Sequence, residues 1–165
     1  MTLNLVRVDD RLIHGQVIAV WLRAVGADVI VIVDDETAQD EFLSEILELA
    51  APPGVAVEVY GTADAVERVA ELAESGTPAF VLVKSPVTAL ALVEAGAPIK
   101  VLNIGGMGAA PGRSTLYKNV SASEDEIRAM HRLEELGTRV EIRIVPDDSV
   151  TAFSSVAKSS VGGRA

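Results

Sequence analysis

Apolar residues recur along this chain in two rhythms. Leu3, Leu5, Val6 and Val8 form a short strand-like run, and Val17, Val20, Trp21, Ala24 and Val25 then fall at i, i+3, i+4, i+7 and i+8. That second spacing predicts one apolar stripe along an amphipathic helix. Val29-Ile30-Val31-Ile32-Val33 is nearly continuous, the pattern of a parallel strand covered on both faces. Thr37 or Asp40 can cap a helix carrying Phe42, Leu43, Ile46, Leu47 and Ala50, which Pro52-Pro53-Gly54 ends. Val55, Val57 and Val59 alternate as a third strand. Thr62 opens a helix bearing Ala65, Val66, Val69, Ala70 and Leu72, closed at Ser75-Gly76. Residues 79–83 form the fourth strand, residues 87–95 a helix stopped by Gly96, and residues 99–103 the fifth strand.

The segment from Gly105 to Gly112 is too rich in glycine and proline for a regular element. Residues 116–120 hold a short strand. Ser121 or Ser123 caps a helix with Glu124, Asp125 and Glu126 in its first turn and Gly137 after its last. Val140, Ile142 and Ile144 alternate with Glu141 and Arg143, predicting a sheet edge with one wet face. Beyond Asp148 only a weak helix is expected, and residues 159–165 read as a frayed end. Six or seven strands alternating with helices predict a three-layer α/β/α fold with a mainly parallel central sheet, one edge strand antiparallel. Residues 1–148 are read as a single domain and 149–165 as a C-terminal helix or tail.

Composition narrows the function classes. Hydrophobic residues make up 49% of the 165 positions but aromatic ones only 4%, so Val, Ile, Leu and Ala must build the core. No stretch reaches the roughly 18 consecutive apolar residues of a membrane helix. Met1 onward shows neither the basic start nor the cleavage site of a secretory signal. The chain has no cysteine, which excludes disulfide and thiol chemistry and fits the cytosol. A formal charge of −10 speaks against a nucleic-acid surface. In so acidic a chain an isolated basic residue near a crevice stands out to an anion.

Such a residue lies between the first strand and the first helix, in Asp9-Asp10-Arg11-Leu12-Ile13-His14-Gly15-Gln16-Val17. His14, one of only two histidines, sits where that helix begins. A neutral imidazole there can act as a nucleophile, and a phosphoryl group on it would meet backbone N–H donors, the positive end of the helix dipole and Arg11. The guanidinium of Arg11 suits two phosphate oxygens, but it could equally be a solvated loop residue or a partner for Asp9 or Asp10. Asp9 and Asp10 could orient His14, hold Arg11 or cap the turn. A carboxylate aimed at the phosphate would repel it, so a supporting role suits them. Gly15 opens the helix, and Gly105 and Gly106 can bring backbone amides to the same crevice or simply make a turn that needs positive φ. Lys84 and Ser85 end the fourth strand on that edge, with a phosphate role and a solvated rim both open. Asp34, Asp35 and Glu36 read as caps and loop polarity, with no metal site. His131, beside Arg132, Glu134 and Glu135, reads as a surface or border residue.

The motif around His14 resembles the active-site signature of the IIB component of the mannose/fructose/sorbose family of the bacterial sugar phosphotransferase system. The likeness continues in family order through 33–36, 51–55, 83–86, Asn103-Ile104-Gly105-Gly106-Met107, 119–121 and Val145-Pro146-Asp147-Asp148. After Gly-Gly-Met the family often carries an aromatic or larger polar side chain, where this chain has Gly108-Ala109-Ala110. The resemblance implies the same α/β fold and a phosphotransferase without cofactor. His14 would accept a phosphoryl group on Nδ1 from a phosphohistidine of a IIA partner. It would then pass it to the 6-hydroxyl of a sugar held by membrane IIC and IID components. It also implies a cytoplasmic protein, peripheral at the inner face of the membrane. The oligomeric state and the sugar stay open. The competing reading is a flavodoxin-like small-ligand or regulatory module. Against it stand the lack of Gly-x-Gly-x-x-Gly after the first strand and the scarcity of aromatic residues.

Overall fold

Strand β1 (Leu5–Asp9) alternates strictly: Val6 and Val8 point into one core, while Leu5, Arg7 and Asp9 point to the opposite face. It lies inside a seven-stranded sheet of order β3-β2-β4-β1-β5-β8-β9. The other members are β2 (Val29–Val33), β3 (Ala56–Tyr60), β4 (Ala79–Val83), β5 (Val101–Gly106), β8 (Arg139–Ile142) and the two-residue β9 (Thr151–Ala152). A computed structural model describes residues 3–15 and 17–162, without the side chains of residues 18 and 158–162. Gln16 of the motif and residues 163–165 lie outside the described residues. Every pairing in the large sheet is parallel except β8 with β9. β8 is therefore not the edge that its alternation predicts, because the short antiparallel β9 lies outside it.

The two faces of the sheet differ. Val29, Val31, Val33, Val81 and Ile104 pack into the larger core under helices α4 (Thr62–Ser75), α5 (Pro86–Glu94), α6 (Glu124–Glu135) and α7 (Phe153–Gly162). Ile30, Ile32, Phe80 and Leu82 form the smaller core with Leu12, Val17, Trp21, Leu22 and Leu47. Residues 159–162, expected to fray, continue α7 as helical backbone, and Phe153, Val156 and Ala157 are buried.

The first helix departs from its predicted periodicity. Val17–Leu22 winds as a π-helix, and only Arg23–Val25 (α1) is α-helical. A π-turn carries more residues than an α-turn. Val17, Trp21 and Leu22 therefore face inward, while Val20 and Ala24, expected on the stripe, are exposed. The next predicted helix is two: α2 (Asp35–Gln39), capped by Asp34, and α3 (Glu41–Leu49), capped by Asp40. Of its apolar residues only Leu47 is buried; Phe42 is 74% exposed. The single strand expected at residues 116–120 instead straddles the turn of a separate hairpin, β6 (Ser114–Tyr117) with β7 (Val120–Ala122), which reverses at Lys118 and Asn119. Ser123 caps α6 in a full capping box with Glu126. Among the described residues, no helix is long and apolar enough to cross a membrane.

Candidate functional site

The site forms where β1 and β5 end side by side. Open α/β sheets bind ligands outside the carboxyl ends of their strands, where adjacent connections diverge. Leu12 N donates to Asp9 O at 3.0 Å, closing a tight turn immediately after β1. Leu12 takes the left-handed region (φ 56°), a conformation that costs a β-carbon residue roughly 1–2 kcal/mol. Its side chain is buried against the Val17 and Trp21 cluster, which repays that strain. The reversal points Leu12 inward and leaves Arg11 and His14 facing the crevice.

Asp9 is the hub of this loop. It is fully buried, and its Oδ2 lies 3.0 Å from His14 Nε2 and 3.6 Å from Arg7 Nη2. Its Oδ1 accepts from the Arg11 amide at 3.1 Å and from Arg11 Nε at 3.3 Å. Burial pushes the Asp9 carboxyl up. The bonds from His14 and the Arg11 amide, with the charge of Arg7, outweigh it and hold the group below the usual aspartate range. An ionised carboxylate only accepts, so Nε2 of His14 carries the hydrogen and Nδ1 presents its lone pair. Arg11 is 56% exposed and spends only Nε on Asp9, so that bond leaves both terminal nitrogens of its fork unused.

The remaining sequence-predicted residues divide. Asp10 does not touch His14. Its Oδ2 accepts from the Gly108 amide at 3.0 Å and from Arg113 Nη1 at 2.9 Å, and Arg113 in turn grips Glu126. Asp10 thus pins the 107–113 loop to β1. Gly105 and Gly106 do not take positive φ, which removes the plain-turn reading. They are glycines because a Cβ on Gly105 would fall 1.9 Å from Arg7 Cζ, and one on Gly106 would fall 2.3 Å from Asp9 Oδ1. Gly15 is exposed in the opening helical turn with open space around it. Lys84 pairs with Asp34 at 3.3 Å, and Ser85 caps α5 and donates to Glu126. Asp34 caps α2, and Asp35 accepts from Thr62 N at the start of α4. His131 is exposed, with its ring edge-on to Phe153 at 4.9 Å.

Sequence reasoning missed Arg7, the largest buried polar side chain. Its Nη1 donates to Asn103 Oδ1 at 2.5 Å and to Arg143 O at 2.9 Å, and its Nη2 donates to Ile144 O at 3.1 Å. The guanidinium stacks 4.5 Å from the Trp21 ring centroid, and Trp21 Nε1 donates to the same Ile144 carbonyl. The available signal was an arginine inside an apolar parallel strand, a position where charge is buried rather than solvated.

A family model described as the PTS system sorbose subfamily IIB component matches residues 3–161. The sorbose-specific EIIB component of Klebsiella pneumoniae is 38% identical over 148 residues, 90% of each chain. The fructose-specific EIIB component of Bacillus subtilis (strain 168) is 33% identical over 159 residues, 96% of this chain and 98% of the relative. The mannose-specific EIIAB component of Escherichia coli (strain K12) is longer; 34% identity over 148 residues spans 46% of it. The crystal structure of the IIBSor domain of the sorbose permease from Klebsiella pneumoniae superposes with a TM-score of 0.88. It is 36% identical, over 96% of this chain and 98% of that one.

Proposed function

This chain belongs to the sorbose subfamily of phosphotransferase-system IIB components, and from that premise we propose that His14 is the residue that carries the phosphoryl group. As a IIB component it is a phosphotransferase of sugar uptake, and that role implies IIA and IIC partners. The observation that carries the assignment is the 3.0 Å approach of His14 Nε2 to the buried Asp9 carboxylate, which leaves Nδ1 as the nucleophile.

The lone pair of Nδ1 attacks the phosphorus of phospho-IIA. The P–N bond to the IIA histidine breaks and its electron pair returns to that ring. Arg11 turns its terminal nitrogens to the equatorial oxygens in flight, a preorganised charge where charge develops. Gly15 offers an amide in the opening helical turn, and Gly105-Gly106 lets the β5 backbone lie close beneath. In the second step a sugar hydroxyl oxygen attacks, the P–Nδ1 bond breaks with its electron pair returning to the His14 ring, and the hydroxyl proton passes to solvent. In this reading IIC is accompanied by IID, the sugar is held by those membrane partners, and the protein works at the cytoplasmic face of the membrane. Asp9 supports the imidazole directly, Asp10 only through the loop.

The test is phosphorylation. Supplied with phosphorylated IIA, the protein should take an acid-labile, base-stable label that maps to His14. His14→Gln should take none, and His131→Gln should label normally. Label that persists after loss of His14 would refute the assignment.

A further inference from the structure

Beneath the crevice Arg7 is sealed from solvent, two residues before Asp9 on the same face of β1. We propose that Arg7 is a positioning residue for phosphotransfer that acts through Asp9. Its buried charge holds the Asp9 carboxylate ionised and aimed at His14 Nε2, so that Nδ1 stays the unprotonated ring nitrogen. The proposal rests on the reading of His14 as the phosphoryl carrier.

Three observations converge on it. First, a guanidinium buried only to fill space would be better replaced by an apolar side chain, because desolvating a charge is costly. Burial draws the Arg7 pKa down to about 10 even with Asp9 beside it, and its Nε has no partner among the described residues. Second, the other contacts of Arg7 clamp it in place. Asn103, two backbone carbonyls of the 143–144 segment and the Trp21 face fix its plane, leaving Nη2 toward Asp9 Oδ2 at 3.6 Å. Third, the backbone of β5 makes room for this pair. The register between β1 and β5 slips after Val8, so that Val8 faces Ile104 and Asp9 faces Gly106. Gly105 is the extra residue, and its missing Cβ is the space that the Arg7 guanidinium occupies, as the missing Cβ of Gly106 is for Asp9. Bulges beside active sites commonly re-aim side chains in this way.

Without its buried counter-cation, the Asp9 carboxylate either turns toward Arg11 and solvent or takes a proton. Both outcomes lower the share of His14 with hydrogen on Nε2. The experiment measures ring ¹⁵N shifts of His14, which report the tautomer without any phosphoryl transfer, alongside the rate of labelling from phospho-IIA. Wild type should show the Nε2–H tautomer. Arg7→Met should show a mixture and label at least about tenfold more slowly, within the range of coupling between contacting residues. Gly105→Ala, which displaces Arg7 without altering it, should do the same. Arg7→Lys should recover part of the rate by returning a charge to the cavity. In an Asp9→Asn background, Arg7→Met should cost less than about twofold more, because its route to His14 is already cut. An unchanged tautomer and rate in both Arg7→Met and Gly105→Ala would overturn the proposal, as would an equal loss in the Asp9→Asn background. If one variant fails to fold, the other decides. Wild-type protein that takes no label would instead overturn the carrier reading, and the ring shifts would still separate that failure from a failure of the Arg7–Asp9–His14 coupling.

Discussion

At the scale of the residue, Asp9 organises the crevice by accepting hydrogen bonds from His14 and Arg11 while it forms an ion pair with Arg7. His14 is held by one ring nitrogen, Arg11 by its amide and Nε, and Arg7 lies behind. Arg11 is thereby poised but not consumed. Arg11→Lys keeps a charge and loses the planar grip on two oxygens. Losing one preorganised charge-assisted contact costs about 3–4 kcal/mol in a transition state, so transfer should slow on the order of a hundredfold or more. The slowing should appear both from phospho-IIA and onward to sugar, since one crevice serves both steps. Labelling should still reach completion, unlike in His14→Gln. Thermal unfolding should move little, because an arginine this exposed contributes little through a surface ion pair. Rapid-quench rates at wild-type level in both Arg11→Lys and Arg11→Ala would return Arg11 to a plain loop partner of Asp9.

At the scale of the element, α6 is tied to the site by its own cap. Ser123 accepts from the Glu126 amide while Glu126 accepts from the Ser123 amide, and both carboxylate oxygens of Glu126 also hold Arg113. Arg113 then reaches Asp10 and the Gly108 carbonyl, so a helix cap steadies the crevice loop. Burial pushes the Glu126 carboxyl up, but the bonds from Arg113, the Ser123 amide and Ser85 leave it lowered overall. A carboxyl lowered in the folded state adds stability above its unfolded pKa, near ~4.3 for glutamate, and loses it as pH falls through the folded value. Glu126→Gln should therefore destabilise the protein at pH 7 by about 2–4 kcal/mol, somewhat under the cost of breaking a fully buried pair. The gap to wild type should narrow below pH ~4. Urea unfolding at pH 7 and at pH 3 measures both, and a gap that is equal at the two pH values would count against the ionised cap.

At the scale of the whole molecule, the chain beyond Asp148 closes the fold. β9 pairs with β8, and α7 seats Phe153, Val156 and Ala157 in the larger core. Phe153 has no solvent exposure. Phe153→Ala should cost about 3–5 kcal/mol, the usual range for a large aromatic side chain lost from a core. Truncation after Asp148 should cost more, since it also uncovers the outer edge of β8. Chemical denaturation midpoints close to wild type in both variants would mean that these residues are an appended tail.

The sequence by itself determined the parallel sheet, the alternation of strand and helix, and the motif that sets an acid, an arginine and a histidine at the end of β1. Those features are local. A continuous Val/Ile run, a capping Ser123 or a Gly96 stop acts within a few residues, and chain order carries the family likeness. Tertiary structure alone decided which side chains the motif addresses. Asp9 and Asp10 are neighbours of one type, yet the last position of β1 turns the first to His14 and the turn that follows carries the next to a loop about a hundred residues away. The two glycines of β5 read as a turn or an anion nest, and become clearance for charged side chains only when β1 lies beside them. The exposed Val20 and Ala24 follow from a π-wound segment that no 3.6-residue count anticipates. For Asp10 and for the two glycines the deciding contact joins residues about a hundred positions apart, and periodicity along one segment holds no information about what packs across it.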